Sequence, residues 1–580
     1  MDKEENMANI KWNDPSTGEK AQFVAETMKE ALFDFSYDSN RVPSLNLHYF
    51  CQDFIMTYQF VDDGLMKEGN LIPLIEEFNH IINKSAWLPN GIDCNLLSFK
   101  NPKGYFEDIS KAKNIPTEDY YNNAVYIDSF LESKSNYCKI LLTKIKEIVD
   151  GNSFTYDDKN TLYYCVREYL TELINSGFSK GHLYNQTQNK LFSAITPSND
   201  VEYLMTFLES LQPKSAEYDV VFGISVEIYN ELKGILKGFR QATPKEQKLL
   251  KTNYVAENKF KSFDPVSALQ IAKQSFSTIL SVYNACMHVT EPMIYNNGRV
   301  KLVTQKKFRF INDSLNLLKK NPNKKRKDRK NWLNTAVTKQ IPSKLLSSFE
   351  LHNTALSISD PQTQLLTLWT INELLIDANQ SNMNIVNYIS NLLCSVLNDC
   401  YYRRKIQTLY QIVIRNNSIR KTIKRETRGN NEIEKFAYIL KDNNALKSNI
   451  IAKLSKHPLN AFKIEMLSNV FANKESMEND LLRHSNRLRW QIMRIYRYRC
   501  LAVHDGNLTH QIPCMNGVLE NLHYYVDELF NYIFAKREEG IYNLDAILSS
   551  ARIKEASIFK MLKDKTNPIS DDEFLDIIFK

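Results

Sequence analysis

From Asp360 onward the sequence is written almost entirely in one period. "DPQTQLLTLWTINELLIDA" (360–378) opens with Asp-Pro, a helix-start pair, and then repeats apolar residues at helical spacing. The runs 384–416, 479–503, 515–540 (ending at Gly540) and 543–565 continue the pattern. Glycine and proline, which punctuate strands and turns, number only 16 and 17 among 580 residues. That scarcity argues against a β-sandwich and for long helices. No fixed-period repeat accompanies the helices.

The first 350 residues read differently. Pro43, Pro73, Pro89 and Gly91 interrupt short apolar runs, and mixed α and β structure is expected over 1–100. Helices are predicted at 136–151, which ends in Gly, at 160–177, and at 264–288, where Asp264 suits the N-cap and Pro265 the first turn. "YDVVFGISVEIY" (218–229) fits a strand pair or a buried helix, and 298–311 alternates like a strand or hairpin. "KKNPNKKRKDRKNW" (319–332) has eight basic residues against one acid, Asp328, and reads as a solvated linker. A chain this long exceeds one core. The expected organisation is a module at 1–350, divided at about 1–125 and 126–318, with a second domain at 356–580. The expected fold class is mainly α: a C-terminal helical bundle with a larger mixed α/β, helix-rich N-terminal module.

Charge is uneven. Residues 401–510 carry 22 Lys/Arg and 9 Asp/Glu, a net of +13, so with +7 overall the rest of the chain stands at −6. A basic segment in an otherwise mildly acidic chain is the footprint expected for a polyanion, RNA or DNA. No apolar run is long enough to span a membrane, and the charged N-terminal stretch does not read as a signal peptide. Nine cysteines without a CxxC pair fit free thiols in a reducing cytoplasm. Walker A, dinucleotide-loop, HExxH and nucleophile-elbow motifs are all missing. Cys500-x3-His504-x5-His510-x3-Cys514 has zinc-ligand residue types but not the usual knuckle spacing. His48, His80, His182, His288, His352, His457, His484 and His523 are isolated in sequence and read as structural or surface residues. No metal or cofactor is expected.

The densest chemical signal is "RIYRYRCLAVHDG" (494–506), in which Arg499 precedes His504 by five positions. RNA supplies its own nucleophile, the 2′-hydroxyl. Cleaving it needs a group that titrates near neutrality, as histidine does, and a fixed cation for the phosphorane-like transition state, as arginine provides. The alternative for these residues is a helix C-terminus capped by the histidine among solvated arginines.

Arg499-x4-His504, the upstream Trp369-x3-Glu373 and the helices of 515–540 and 543–565 together resemble the HEPN superfamily, more narrowly the Apea-like HEPN domains of bacterial antiphage proteins. The resemblance covers about 360–565. It implies a metal-independent endoribonuclease in antiphage defence (abortive infection), acting as a homodimer or higher even oligomer through the HEPN domain and leaving 2′,3′-cyclic phosphates. It further implies Arg499 and His504 as catalytic residues oriented by Glu373, with Arg494, Arg497, Tyr498 and Asp505 contacting substrate. Arg497 satisfies the family spacing as well, but Arg499 has the commoner form. The N-terminal module would restrain the nuclease until a phage-derived trigger appears. Cys500 stands where the family often has a polar residue. It supports the alternative of a catalytically silent RNA- or nucleotide-binding or partner-docking protein.

Overall fold

The computed structural model describes residues 18–33, 36, 38–84, 117–133, 137–192, 200–234, 237–287, 294–312, 341–358, 360–376, 385–504, 514–565 and 568–579. The chain opens with helices: α1 (Glu19–Leu32), α2 (Leu47–Asp62), α3 (Leu71–Lys84), α4 (Thr117–Ser133), α5 (Tyr137–Asp150), α6 (Tyr156–Asn175), α7 (Lys180–Thr187) and α8 (Asp200–Ser210). The described residues of 1–100 contain no strand, which corrects the mixed reading: their prolines fall at or between helix ends. α5 stops at Gly151 as expected. α6 starts earlier than its apolar pattern suggests, because Thr155 and Asp158 form a reciprocal capping box.

A five-stranded antiparallel sheet follows, built from β1 (Ala216–Ile224), β2 (Phe239–Gln241), β3 (Tyr254–Ser262), β4 (Ile294–Leu302) and β5 (Arg309–Asn312) in the order β2-β3-β1-β4-β5. Helices α9 (Val226–Leu232), α10 (Pro244–Leu250) and α11 (Pro265–Met287) connect and cover it. The ambiguous 218–229 run is therefore a strand and then a helix, broken at Ser225. β1 is central and buried on both faces. Tyr218, Val220, Phe222 and Ile224 face the α11 side with Leu269 and Phe276, while Val221 faces Leu250 of α10. That two-sided burial is why β1 reads as a continuous apolar run rather than an alternation. Gly298 lets β4 approach α11 closely, since a Cβ there would lie 2.4 Å from Leu269 Cδ1. Asp264 caps α11, accepting from the amides of Val266 and Ser267 at 2.8 and 3.0 Å.

Among the described residues the remaining elements are all helical: α12 (Ser343–Ser357), α13 (Pro361–Leu375), α14 (Ile385–Asn398), α15 (Tyr401–Val413), α16 (Asn417–Ile423), α17 (Glu432–Lys441), α18 (Asn444–Lys453), α19 (Pro458–Phe471), α20 (Lys474–His504), α21 (Met515–Glu538), α22 (Leu544–Lys563) and α23 (Asp571–Phe579). The run 384–416 is two helices, broken at Asp399-Cys400. The molecule is thus mainly α with one small sheet. None of the described helices is long and apolar enough to cross a membrane.

The cores are not divided as the sequence suggests. One hydrophobic core takes in residues of α1 through α8 and also of α12, α13, α14, α20, α21 and α22. A second unites α15 to α19 with α23 and the far end of α22. The sheet and α11 form their own. A division at about 125 cuts through the first core; among the described residues the change of core falls between Leu211 and Ala216. Residue 350 is not a core boundary either. Phe23 of α1 packs edge-on against Phe462 of α19 at 5.5 Å, Glu26 accepts from the Leu459 amide at 3.0 Å, and Lys463 pairs with Glu30. The basic stretch 319–332 lies outside the described residues.

Candidate functional site

α20 carries the arginines of the candidate site along 31 residues, and its C-terminal end is held by α13. Asp360 caps α13, taking the Thr363 amide at 2.7 Å, with Pro361 in the first turn. This places Gln362 so that its Nε2 donates to the Ala502 carbonyl at 3.0 Å, satisfying one of the last carbonyls of α20. One face further along α13, Trp369 is buried and donates its indole N–H to Glu373 Oε1 at 2.7 Å. That same oxygen lies 3.4 Å from Arg499 Nη2, with the two side chains 31% and 32% exposed. Trp369, Glu373 and Arg499 therefore form one connected group at a solvent-accessible seam between α13 and α20. Tyr496 packs against the Trp369 ring at 5.6 Å, and burial, with the Cys500 thiol beside it, pushes its phenol up to about 12.

His504 closes α20, and its imidazole lies outside the described residues; Asp505 lies outside them altogether, as does His510. Of the cysteine–histidine quartet, Cys514 is buried with Sγ 3.3 Å from the Tyr498 hydroxyl, and burial pushes its thiol up to about 12.

The expected substrate contacts Arg494, Arg497 and Tyr498 require correction. They are 2%, 1% and 1% exposed. All three converge on Asp53 of α2: Arg497 Nη2 donates at 2.9 Å, the Tyr498 hydroxyl at 2.7 Å, and Arg494 Nε lies 3.4 Å away. Arg494 also pairs with Glu77 of α3, and Arg489 with Glu76, which accepts from the Trp490 indole as well at 3.1 Å. The physical reason is packing. α2 and α3 lie along the face of α20 that these residues share, and a guanidinium buried there requires a carboxylate.

The same accounting changes the meaning of the basic 401–510 segment. Arg404 pairs with Glu528, Lys441 with Asp571, Lys463 with Glu30 and Lys474 with Glu573, besides the α20 pairs with α2 and α3. Much of its excess charge is matched by carboxylates from elsewhere in the chain rather than left for a polyanion.

Several histidines that look isolated in sequence are not isolated in space. His48 Nδ1 contacts Glu172 at 3.0 Å and its Nε2 lies 3.6 Å from Asp128. Burial disfavours its charged form, but these carboxylates outweigh that and raise its pKa. His182 lies on α7, 4.0 Å from Asp264. His352 and His523 meet across two helices with their Nε2 atoms 3.1 Å apart. Only the i,i+4 spacing of His523 and Asp527 on one predicted helix hinted at any of these groupings. The chain matches no family model, no curated protein and no solved structure.

Proposed function

We propose that this protein is a metal-independent endoribonuclease of the HEPN type, restrained by its N-terminal helices and acting in antiphage defence as a homodimer through its C-terminal bundle. The observation that carries the reading is the Trp369–Glu373–Arg499 group. Of the three closely spaced arginines 494, 497 and 499, only Arg499 keeps solvent access, and its spacing to His504 is the commoner form of the resembled motif. In this reading Arg499 binds a phosphate oxygen and stabilises the transition-state charge, and Glu373, held by the Trp369 indole, orients it. His504 takes the 2′-hydroxyl proton, the 2′-oxygen forms its bond to phosphorus as the bond to the 5′-oxygen breaks, and a protonated His504 of the partner subunit donates to that leaving oxygen, giving a cyclic phosphate and a 5′-hydroxyl. Restraint finds support in the carboxylates of α2 and α3, which neutralise Arg489, Arg494 and Arg497. The defence role and the dimer rest on the resemblance of 360–565 alone.

The sequestration of Arg494, Arg497 and Tyr498 away from any RNA favours a second reading, a catalytically silent partner-docking protein. Full-length protein and a Glu77→Gln form, which loosens the clamp on Arg494, are incubated with total RNA in EDTA, beside Arg499→Ala and His504→Ala versions of each. Circular dichroism confirms that all remain folded. The nuclease reading expects cyclic-phosphate ends that disappear in both alanine variants. Intact RNA throughout, or equal cutting by every variant, overturns it.

A further inference from the structure

His352 stands on α12, and His523 and Asp527 stand one turn apart on α21, on the face turned toward it. Their donor atoms form a closed triangle. His352 Nε2 to His523 Nε2 is 3.1 Å, His352 Nε2 to Asp527 Oδ1 is 3.6 Å, and His523 Nε2 to Asp527 Oδ1 is 3.9 Å. The point equidistant from three atoms with these separations lies about 2.1 Å from each, within the bond-length range of zinc to imidazole nitrogen and carboxylate oxygen. A tetrahedral ion with bonds of that length has donor–donor edges of about 3.4 Å, so the three sides need shift by only about half an ångström to hold one.

We infer that His352, His523 and Asp527 form a binding site for a divalent transition-metal ion, zinc foremost, that staples α12 to α21. Two neutral imidazoles and one carboxylate are a borderline-soft donor set suited to zinc and its neighbours rather than to calcium or magnesium, which select oxygen. The side chains are 18%, 10% and 14% exposed, so the site is enclosed yet open enough for an ion to enter and for water to complete its coordination. The aromatic wall is in place: Phe530 meets the His352 ring edge-on at 5.6 Å, and Phe349 packs on Phe530 at 4.8 Å. The alternative is a hydrogen bond from one imidazole N–H to the other nitrogen, flanked by the carboxylate. α12 leads into α13, so the ion would brace the helix pair that carries Trp369 and Glu373. The inference does not rest on the ribonuclease reading, and the ion takes no part in that chemistry.

The test uses the full-length protein, stripped with a chelator and then reconstituted with zinc chloride or cobalt chloride. Elemental analysis is expected to find one equivalent of zinc per chain after desalting, with a melting temperature higher than that of the stripped protein. The cobalt form is expected to show ligand-field bands without a thiolate charge-transfer band, which separates this site from the cysteines. Asp527→Asn and His352→Gln are expected to weaken zinc binding more than about 100-fold, beyond what changes outside the ligand set cost. Less than about a tenth of an equivalent bound by the wild-type protein overturns the inference, and this measurement requires no variant to fold. So does a thiolate band, or a full equivalent retained by either folded variant.

Discussion

Asp53→Asn is the sharpest probe of how the N-terminal helices hold α20. Around Asp53 the charges are two buried guanidiniums, Arg494 and Arg497, the buried carboxylate of Asp53 and the half-buried carboxylate of Glu77, which balance. The substitution keeps shape and volume but leaves two cations against one anion. Arg494 retains Glu77; Arg497 is left uncompensated at 1% exposure, and its Nε has no hydrogen-bond partner among the described residues to begin with. The attraction across the 2.9 Å Arg497–Asp53 contact is about 6 kcal/mol at an effective dielectric of 20. Losses on removing one member of a buried pair run about 3–5 kcal/mol. We expect a loss in that range, read by urea unfolding with tryptophan fluorescence, since Trp369 and Trp490 both lie in this packed region. Adding Arg497→Met, which removes the orphaned cation, is expected to recover most of the loss, because a buried pair replaced by apolar side chains is often near neutral. A cost below about 1 kcal/mol for Asp53→Asn, or single costs that simply add in the double variant, refutes the picture of a charge-balanced buried clamp.

Three further outcomes follow from the same structure. Tyr498→Phe removes a donor to the Asp53 carboxylate and should cost about 1.5–3 kcal/mol in the same assay, with much smaller effect when Asp53 is already Asn. Glu246 is held down to about 2 from an ordinary 4.5, chiefly by Arg240. Its folded pKa is depressed, so the stability it lends is complete above about pH 4.5 and lost as pH falls toward about 2. The difference between wild type and Glu246→Gln, at most about 3 kcal/mol near neutrality, should therefore shrink to nothing across that window in acid-unfolding curves, and a constant difference would contradict it. Gly298→Ala should destabilise the sheet by about 1–3 kcal/mol, seen as faster hydrogen exchange in β4 and β1, because its Cβ collides with the fully buried Leu269.

The C-terminal helices were legible because their stability is written locally. Apolar spacing, the Asp360-Pro361 start and the Gly540 stop are read within one or two turns, and the structure places helices there. The β4–β5 hairpin and the α11 cap were legible for the same reason. The Trp369-x3-Glu373 spacing put both side chains on one face of α13, which periodicity alone dictates. What the sequence could not decide is which surfaces face one another. Arg494, Arg497 and Arg499 are equivalent as residue types five positions apart. Two became buried structural cations and one stayed accessible only because α2 and α3, more than four hundred residues earlier, lie on one side of α20 and α13 on another. His352 and His523, 171 positions apart, became neighbours by the same kind of docking. A helix's existence is a short-range property of its own residues, whereas the charge state and exposure a side chain experiences are set by whatever packs against it. Local pattern therefore determined the elements, and only tertiary packing decided which arginine, and which histidines, are available for chemistry.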